Sequence, residues 1–79
     1  MARDRFNPQD FGINMSKDDL TDMLLDKLSA MYRGLWTIDE LLLHPLDAHR
    51  FCDEVRMEHG FYDAPDEVLL RPMINRRSG

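Results

Sequence analysis

The chain has 79 residues, of which 43% are hydrophobic and 32% are charged, and its formal net charge is -5. This length suits one small domain and is too short for the two-lobed architecture that most cofactor enzymes require. The acidic balance argues against a dedicated nucleic-acid-binding protein, because neutralising phosphates requires an excess of lysine and arginine on one face.

Cysteine usage and hydrophobic patterning exclude further classes. Cys52 is the only cysteine, so no disulfide forms within the chain, and Leu41–Leu43 is as long as any strictly apolar run. A membrane-spanning helix would need a run of about 20 residues. Residues 3–5 are charged and precede Phe6, so the N-terminus lacks the apolar core of a secretory signal. We therefore expect a cytoplasmic protein in a reducing environment.

Residues 1–15 are expected to form an extended or mobile arm. Proline and glycine interrupt this segment, and its bulky apolar residues follow no helical period. Phe11, Ile13 and Met15 alternate along the chain, so one edge of an extended segment would lie against the body. A mobile terminus is equally consistent with this pattern.

A helical domain is predicted over residues 16–74, and its first helix has a strong start signal. Ser16 as the N-cap and Asp19 at the third helical position match a capping box. Gly34 followed by Leu35 predicts a left-handed stop in which the leucine makes an apolar contact. Helix 1 is therefore expected between Ser16 and Gly34.

Helix 1 has a wide apolar side. Its apolar residues span about 200° of the helical wheel, whereas a helix packed on one core needs a stripe of roughly 100°. Either helix 1 is central and contacts two other helices, or a second copy of the chain or a partner helix covers the surplus. We expect that partner contact at Met23, Leu25 and Tyr32.

One edge of helix 1 is acidic. Asp18, Asp22 and Asp26 stack at successive i, i+4 positions, where like charges destabilise a helix by about 0.2–0.5 kcal/mol per pair. The helix dipole accounts for Asp18 in the first turn but not for Asp22 and Asp26. We expect those two carboxylates to meet a basic partner surface, the alternative being a solvated face that keeps the domain soluble.

The same start signal recurs at Thr37 and Glu40, so a second helix follows the first closely. Pro45 disfavours helical geometry at the residue before it and limits helix 2 to roughly two turns. Pro45 is also a suitable first residue for helix 3, which is predicted to run to about His59 and to stop at Gly60.

Tyr32 and Trp36 crowd the corner between helices 1 and 2. Aromatic residues at such a corner usually fill the core. The alternative is a binding hot spot, for which tryptophan and tyrosine are favoured.

Catalytic and metal-binding chemistry finds little support. His49 and Cys52 lie one turn apart on helix 3, but a closed zinc site needs four ligands, usually with closely spaced cysteine pairs. Cys52 lies on the apolar stripe of its helix, which favours burial and low reactivity. The four glycines form no phosphate-binding loop. We therefore predict no metal, no cofactor and no enzymatic activity.

A last helix is predicted from near Pro65, with Pro72 ending or kinking it and a basic polar tail over residues 75–79. Three arginines make this end the basic element of the chain: Arg71, Arg76 and Arg77. They would contact nucleic acid weakly and without sequence preference, fold onto the acidic body, or stay solvated.

Together these elements predict an all-α domain, a small bundle of three to four helices with an extended N-terminal arm. The expected role is a non-enzymatic protein-interaction or regulatory module that uses the apolar and acidic faces of helix 1. Its partner would be another protein, one with a basic surface, or a second copy of the chain. The alternative is a nucleic-acid-associated regulator that uses helices 2 and 3 and the arginine tail, although acidic residues outnumber basic ones on helix 3.

Overall fold

The computed structural model describes residues 7–78, so residues 1–6 of the predicted arm and residue 79 of the predicted tail lie outside the described residues. The described residues contain four α-helices and no β-strand, which confirms the predicted all-α bundle. The elements in chain order are a 3-10 turn at Pro8–Phe11, α1 at Lys17–Tyr32, α2 at Ile38–Leu42, α3 at Pro45–His59 and α4 at Asp66–Ser78.

Residues 7–15 differ from an extended arm. Asn7 caps the turn Pro8–Phe11, because its side chain accepts the backbone N–H two residues on at 3.2 Å. Gly12 then adopts a left-handed conformation with φ 76°, which turns the chain back toward the body. Ile13 follows and is 0% exposed. The alternating edge therefore lies against the body, as one of the two sequence interpretations expected.

The start of α1 is as predicted, and its end agrees with the prediction in part, since Gly34 is left-handed but this conformation already begins at Arg33. The side chain of Ser16 accepts the N–H of Asp19 at 3.1 Å. At the other end Arg33 is left-handed with φ 57°, one residue before Gly34 with φ 72°. The backbone therefore leaves the helix after Tyr32, and the apolar contact expected of Leu35 is absent, since that side chain is 80% exposed.

Helices α2 and α3 follow the sequence signals closely. Thr37 caps α2 by accepting the N–H of Glu40 at 3.4 Å. Helix α3 begins at Pro45 and ends at His59, the bounds predicted from sequence. Gly60 closes it in a left-handed conformation with φ 74°.

The C-terminal end differs from the predicted tail. Helix α4 continues through Pro72 to Ser78, so most of residues 75–79 is helical and the proline does not end the helix. Proline lacks an N–H and leaves the carbonyl of Val68 without its helical donor. Met73 is 1% exposed and anchors the segment beyond the proline in the core.

Helices α3 and α4 each contact all three other α-helices, and α1 contacts both of them. Helix 1 therefore contacts two other helices, as the first of the two sequence interpretations expected. No helix within residues 7–78 has the length and apolar character needed to cross a membrane. The core combines side chains from all four α-helices and from the segments that precede α1 and α4: Ile13, Leu20, Leu24, Leu28, Ile38, Leu41, Ala48, Phe51, Cys52, Val55, Phe61, Ala64, Val68, Leu69 and Met73.

Candidate interaction surface

The wide apolar side of α1 is mostly covered by the chain itself. Its central leucines are buried, and the three residues predicted to meet a partner, Met23, Leu25 and Tyr32, are half-buried and pack against the core. Part of each of these three side chains still faces solvent. Their contact with a partner stays a prediction.

The acidic edge of α1 is partly neutralised from within. Arg76 of α4 forms an ion pair with Asp22 at 3.1 Å, across 54 positions of sequence. Asp26 is exposed, and no side chain within residues 7–78 forms an ion pair with it. The carboxylate repulsion that suggested a basic partner is therefore relieved at Asp22 by the protein's own C-terminal helix.

The three arginines of the predicted basic tail all face carboxylates of the same chain. Arg71 lies 2.7 Å from Glu67 one turn earlier on α4. Arg77 lies 3.0 Å from Asp39 of α2, and Arg76 lies 3.1 Å from Asp22 of α1. Two of these pairs join α4 to other helices, which corresponds to the sequence interpretation in which the tail folds onto the acidic body.

Three rings stack at the junction of α1, α2 and α3. The Tyr32 and Trp36 ring centroids are 4.6 Å apart with planes 10° apart, and those of Trp36 and His44 are 4.5 Å apart with planes 15° apart. The hydroxyl of Tyr32 donates to the carbonyl of Asp47 at 3.5 Å. Burial, and then the nearby Asp47 carboxylate, raise the pKa of Tyr32, while the charge of Arg50 acts in the opposite direction. The stack fixes the α1–α2 turn against the start of α3.

A groove of about 380 Å³ opens beside this stack. Leu28, Ile38 and Met73 form its apolar floor, and Leu25 and Trp36 line it as well. Its remaining lining includes the ion-paired side chains of α2 and α4, namely Asp39, Arg76 and Arg77. Its size and apolar floor suit one or two inserted side chains, or a small ligand.

Four leucines around the same junction are exposed, and we call them the leucine corner. Leu35 is 80% exposed, Leu43 72% and Leu46 83%, and Leu42 is 38% exposed. Stacking of Trp36 on His44 brings the segment around Leu35 to the segment that carries the other three. Transferring the exposed parts of these side chains out of water would yield about 4–8 kcal/mol. This is a large apolar surface for so small a chain.

Sequence reasoning missed the leucine corner. Leu35 was assigned to a helix-end contact that the left-handed Arg33 prevents. The signal for Leu46 was present, because Leu46 shares a face of helix 3 with the polar residues Arg50 and Asp53 at i+4 and i+7. An apolar residue at the head of a polar face is expected to be exposed.

His49 and Cys52 of α3 make different contacts. His49 lies 2.8 Å from Asp66 and 3.2 Å from Asp53, and it does not share a site with Cys52. Burial raises the pKa of the Cys52 thiol to about 12, which keeps it protonated and unreactive. Arg56 joins the same carboxylates, at 2.7 Å from Asp66 and 2.6 Å from Asp53. Residues 7–78 contain no group of three potential ligands placed to hold a metal ion.

The contacts of His49 predict a pH dependence of stability. The hydrogen bond to Asp66, and then the charges of Asp53 and Asp66, raise the pKa of His49 above 6.5. A raised folded-state pKa stabilises the fold fully below the unfolded value and loses that effect as pH rises through the folded value. We expect the free energy of unfolding, measured by urea denaturation, to be higher for wild type than for His49→Gln. This difference should be larger at pH 5.5 than at pH 8.5. An equal difference at both pH values would contradict this prediction.

No family model, curated protein or solved structure matches this chain. Its function is therefore argued from its own surface. That surface combines the leucine corner, the aromatic stack and the groove on neighbouring parts of α1, α2, α3 and α4.

Proposed function

We propose that this chain is a small non-enzymatic protein-interaction module that binds another protein through the leucine corner and the adjoining groove. The observation that carries the proposal is the exposure of Leu35, Leu43 and Leu46, each more than 70% exposed, beside an ordered stack of three rings. Exposed apolar patches on monomers often mark interaction sites.

The arrangement has the parts of a binding hot spot. Trp36 and Tyr32 are half-buried and held by stacking, so binding would lose little side-chain entropy. Tryptophan and tyrosine are also the residues favoured at the centre of interfaces. The groove next to Trp36 offers space for an anchoring side chain.

The proposed surface includes part of the helix 1 surface that was predicted from sequence to contact a partner. Leu25 lines the groove and Tyr32 belongs to the stack, so two of the three predicted flank residues border the proposed site. A separate basic partner at the acidic edge has less support. Of the two carboxylates predicted to meet it, Asp22 is already paired with Arg76, and Asp26 has no ion pair among the described residues.

Two further parts of the proposal concern chemistry and compartment. The buried, protonated Cys52 supports a non-enzymatic role, because it removes the strongest candidate nucleophile. A single buried thiol with no disulfide partner in the sequence also suits a reducing compartment, and we propose the cytoplasm.

The nucleic-acid alternative has less support. Arg71, Arg76 and Arg77 each lie within 3.1 Å of a carboxylate of the same chain. Binding phosphate would require breaking those pairs in a chain whose net charge is -5. An interaction with protein requires no such exchange.

A displayed library of helical peptides, selected on the full chain, tests the proposed surface. Selected peptides should change the fluorescence of Trp36, the single tryptophan, and should bind Leu46→Ser about tenfold more weakly. Met57→Ser is the matched control, since Met57 is 71% exposed on the same helix but outside the leucine corner, and it should bind like wild type. Peptides that bind wild type and both variants equally would contradict the proposal, and so would a selection that yields no binding peptide.

Sedimentation of the free chain over a range of concentrations separates the two kinds of partner. If the partner is a different protein, the free chain should stay monomeric. A dimer that Leu46→Ser dissociates and Met57→Ser does not would assign the leucine corner to a second copy of the chain.

A further inference from the structure

Two exposed arginines near the leucine corner have no acidic partner in the described part of the chain. Arg33 and Arg50 form no ion pair with any residue of the range 7–78. Five other basic side chains each lie within 3.1 Å of a carboxylate: Lys27, Arg56, Arg71, Arg76 and Arg77. Arg33 and Arg50 thus lack an ion pair in a chain that has 15 acidic residues.

Both arginines border the proposed surface. Arg33 directly follows Tyr32 of the stack and is exposed. Arg50 lies one turn after Leu46 on α3, on the same face of the helix, and its charge acts on the hydroxyl of Tyr32. The leucine corner is therefore flanked by one arginine just after α1 and by another on α3.

Carboxylates also lie near the corner, but none of them forms an ion pair with Arg33 or Arg50. Glu40 lies 3.4 Å from His44, and Asp39 is paired with Arg77. Asp47 is half-buried beside Tyr32 and forms no ion pair with Arg50 among the described contacts. The exposed guanidinium groups remain available to a ligand.

We infer that the partner at the leucine corner is an acidic amphipathic helix, with leucine-like side chains on one face and Asp or Glu beside them. This inference rests on the proposed function. The leucines and the groove of this chain would cover the apolar face, while Arg33 and Arg50 would pair with the flanking carboxylates. Residues 7–78 offer no strand edge to which an extended peptide could add, which favours a helical partner.

The net charge of the chain opposes the peptide preference that we infer. The chain as a whole is acidic, with a net charge of -5, so its overall field favours basic peptides. A preference for an acidic peptide can therefore come only from local positive groups.

Three synthetic peptides of about 18 residues test this inference on the full chain. They share one leucine face at i, i+3, i+4 and i+7 and carry Glu, Gln or Lys at the flanking positions. Binding is followed by Trp36 fluorescence at low salt and again at ~0.5 M salt. We expect the Glu peptide to bind about tenfold more tightly than the Gln peptide, and the Lys peptide to bind most weakly.

The double variant Arg33→Gln/Arg50→Gln should remove the advantage of the Glu peptide and leave the Gln peptide unchanged. Arg71→Gln is the matched control, because Arg71 is also exposed but already paired with Glu67 on α4, and it should keep the order of the three peptides. High salt should reduce the affinity advantage of the Glu peptide over the Gln peptide for wild type to about twofold.

Three results would overturn the inference. Tightest binding of the Lys peptide would assign the partner a basic surface instead. Equal binding of all three peptides, lost in Leu46→Ser, would remove the acidic chemistry and leave the proposed function standing. Absence of binding by every peptide at ~1 mM would overturn the inference, while the library selection would still decide the proposed function.

Discussion

The variant Ile13→Ala is expected to unfold with a free energy about 3 kcal/mol lower than that of wild type. Ile13 is 0% exposed and belongs to the core, although it precedes the first α-helix. Removing its side chain leaves a cavity, and the neighbouring turn cannot easily collapse into it, because the N–H groups of Gly12 and Ile13 donate to the carbonyls of Gln9 and Pro8 at 3.2 and 3.1 Å. For a chain of 79 residues this loss is a large part of a total of about 4–12 kcal/mol.

Urea denaturation followed by circular dichroism measures this loss. Asn14→Ala is the matched control, because the neighbouring Asn14 is exposed, and it should change the unfolding free energy little. A loss at Ile13 as small as that at Asn14 would mean that residues 7–15 form a mobile arm in solution.

Local signals predicted the helices well. Ser16 and Thr37 were identified as N-caps because a hydroxyl three residues before an acidic residue satisfies a free N–H, and both side chains accept that N–H in the structure. Pro45 and Gly60 bound α3 because proline restricts the residue before it and glycine tolerates a left-handed conformation. Each of these signals acts within one helical turn.

The differences arose where distant contacts decide the structure. Helix α4 passes through Pro72 although an internal proline is unfavourable by about 3 kcal/mol. Burial of Met73, and ion pairs from Arg76 and Arg77 to α1 and α2, hold the last turns in place. Their partners are far apart in sequence, so no local pattern reveals them.

The candidate site was predicted only in part. Leu25 and Tyr32 were selected for a surplus of apolar surface on helix 1, and they border the groove and the stack. The leucine corner was missed because exposure at Leu35 depends on the left-handed Arg33, a conformation that sequence does not favour at an arginine. The contacts of α1 with α3 and α4 cover most of the surplus apolar surface of helix 1.

The variant Arg56→Met is expected to lower the free energy of unfolding by about 2 kcal/mol. The Arg56 side chain is 14% exposed, and it donates to the carbonyl of Ala64 at 2.9 Å as well as bridging Asp53 and Asp66, so α3 is tied to the start of α4. Methionine keeps most of the packing but leaves two carboxylates facing each other. Arg71→Met is the control: its pair with Glu67 is exposed and within one helix, so its loss should be below about 0.5 kcal/mol in the same urea denaturation. Equal losses for the two variants would show that Arg56 acts as an ordinary surface charge.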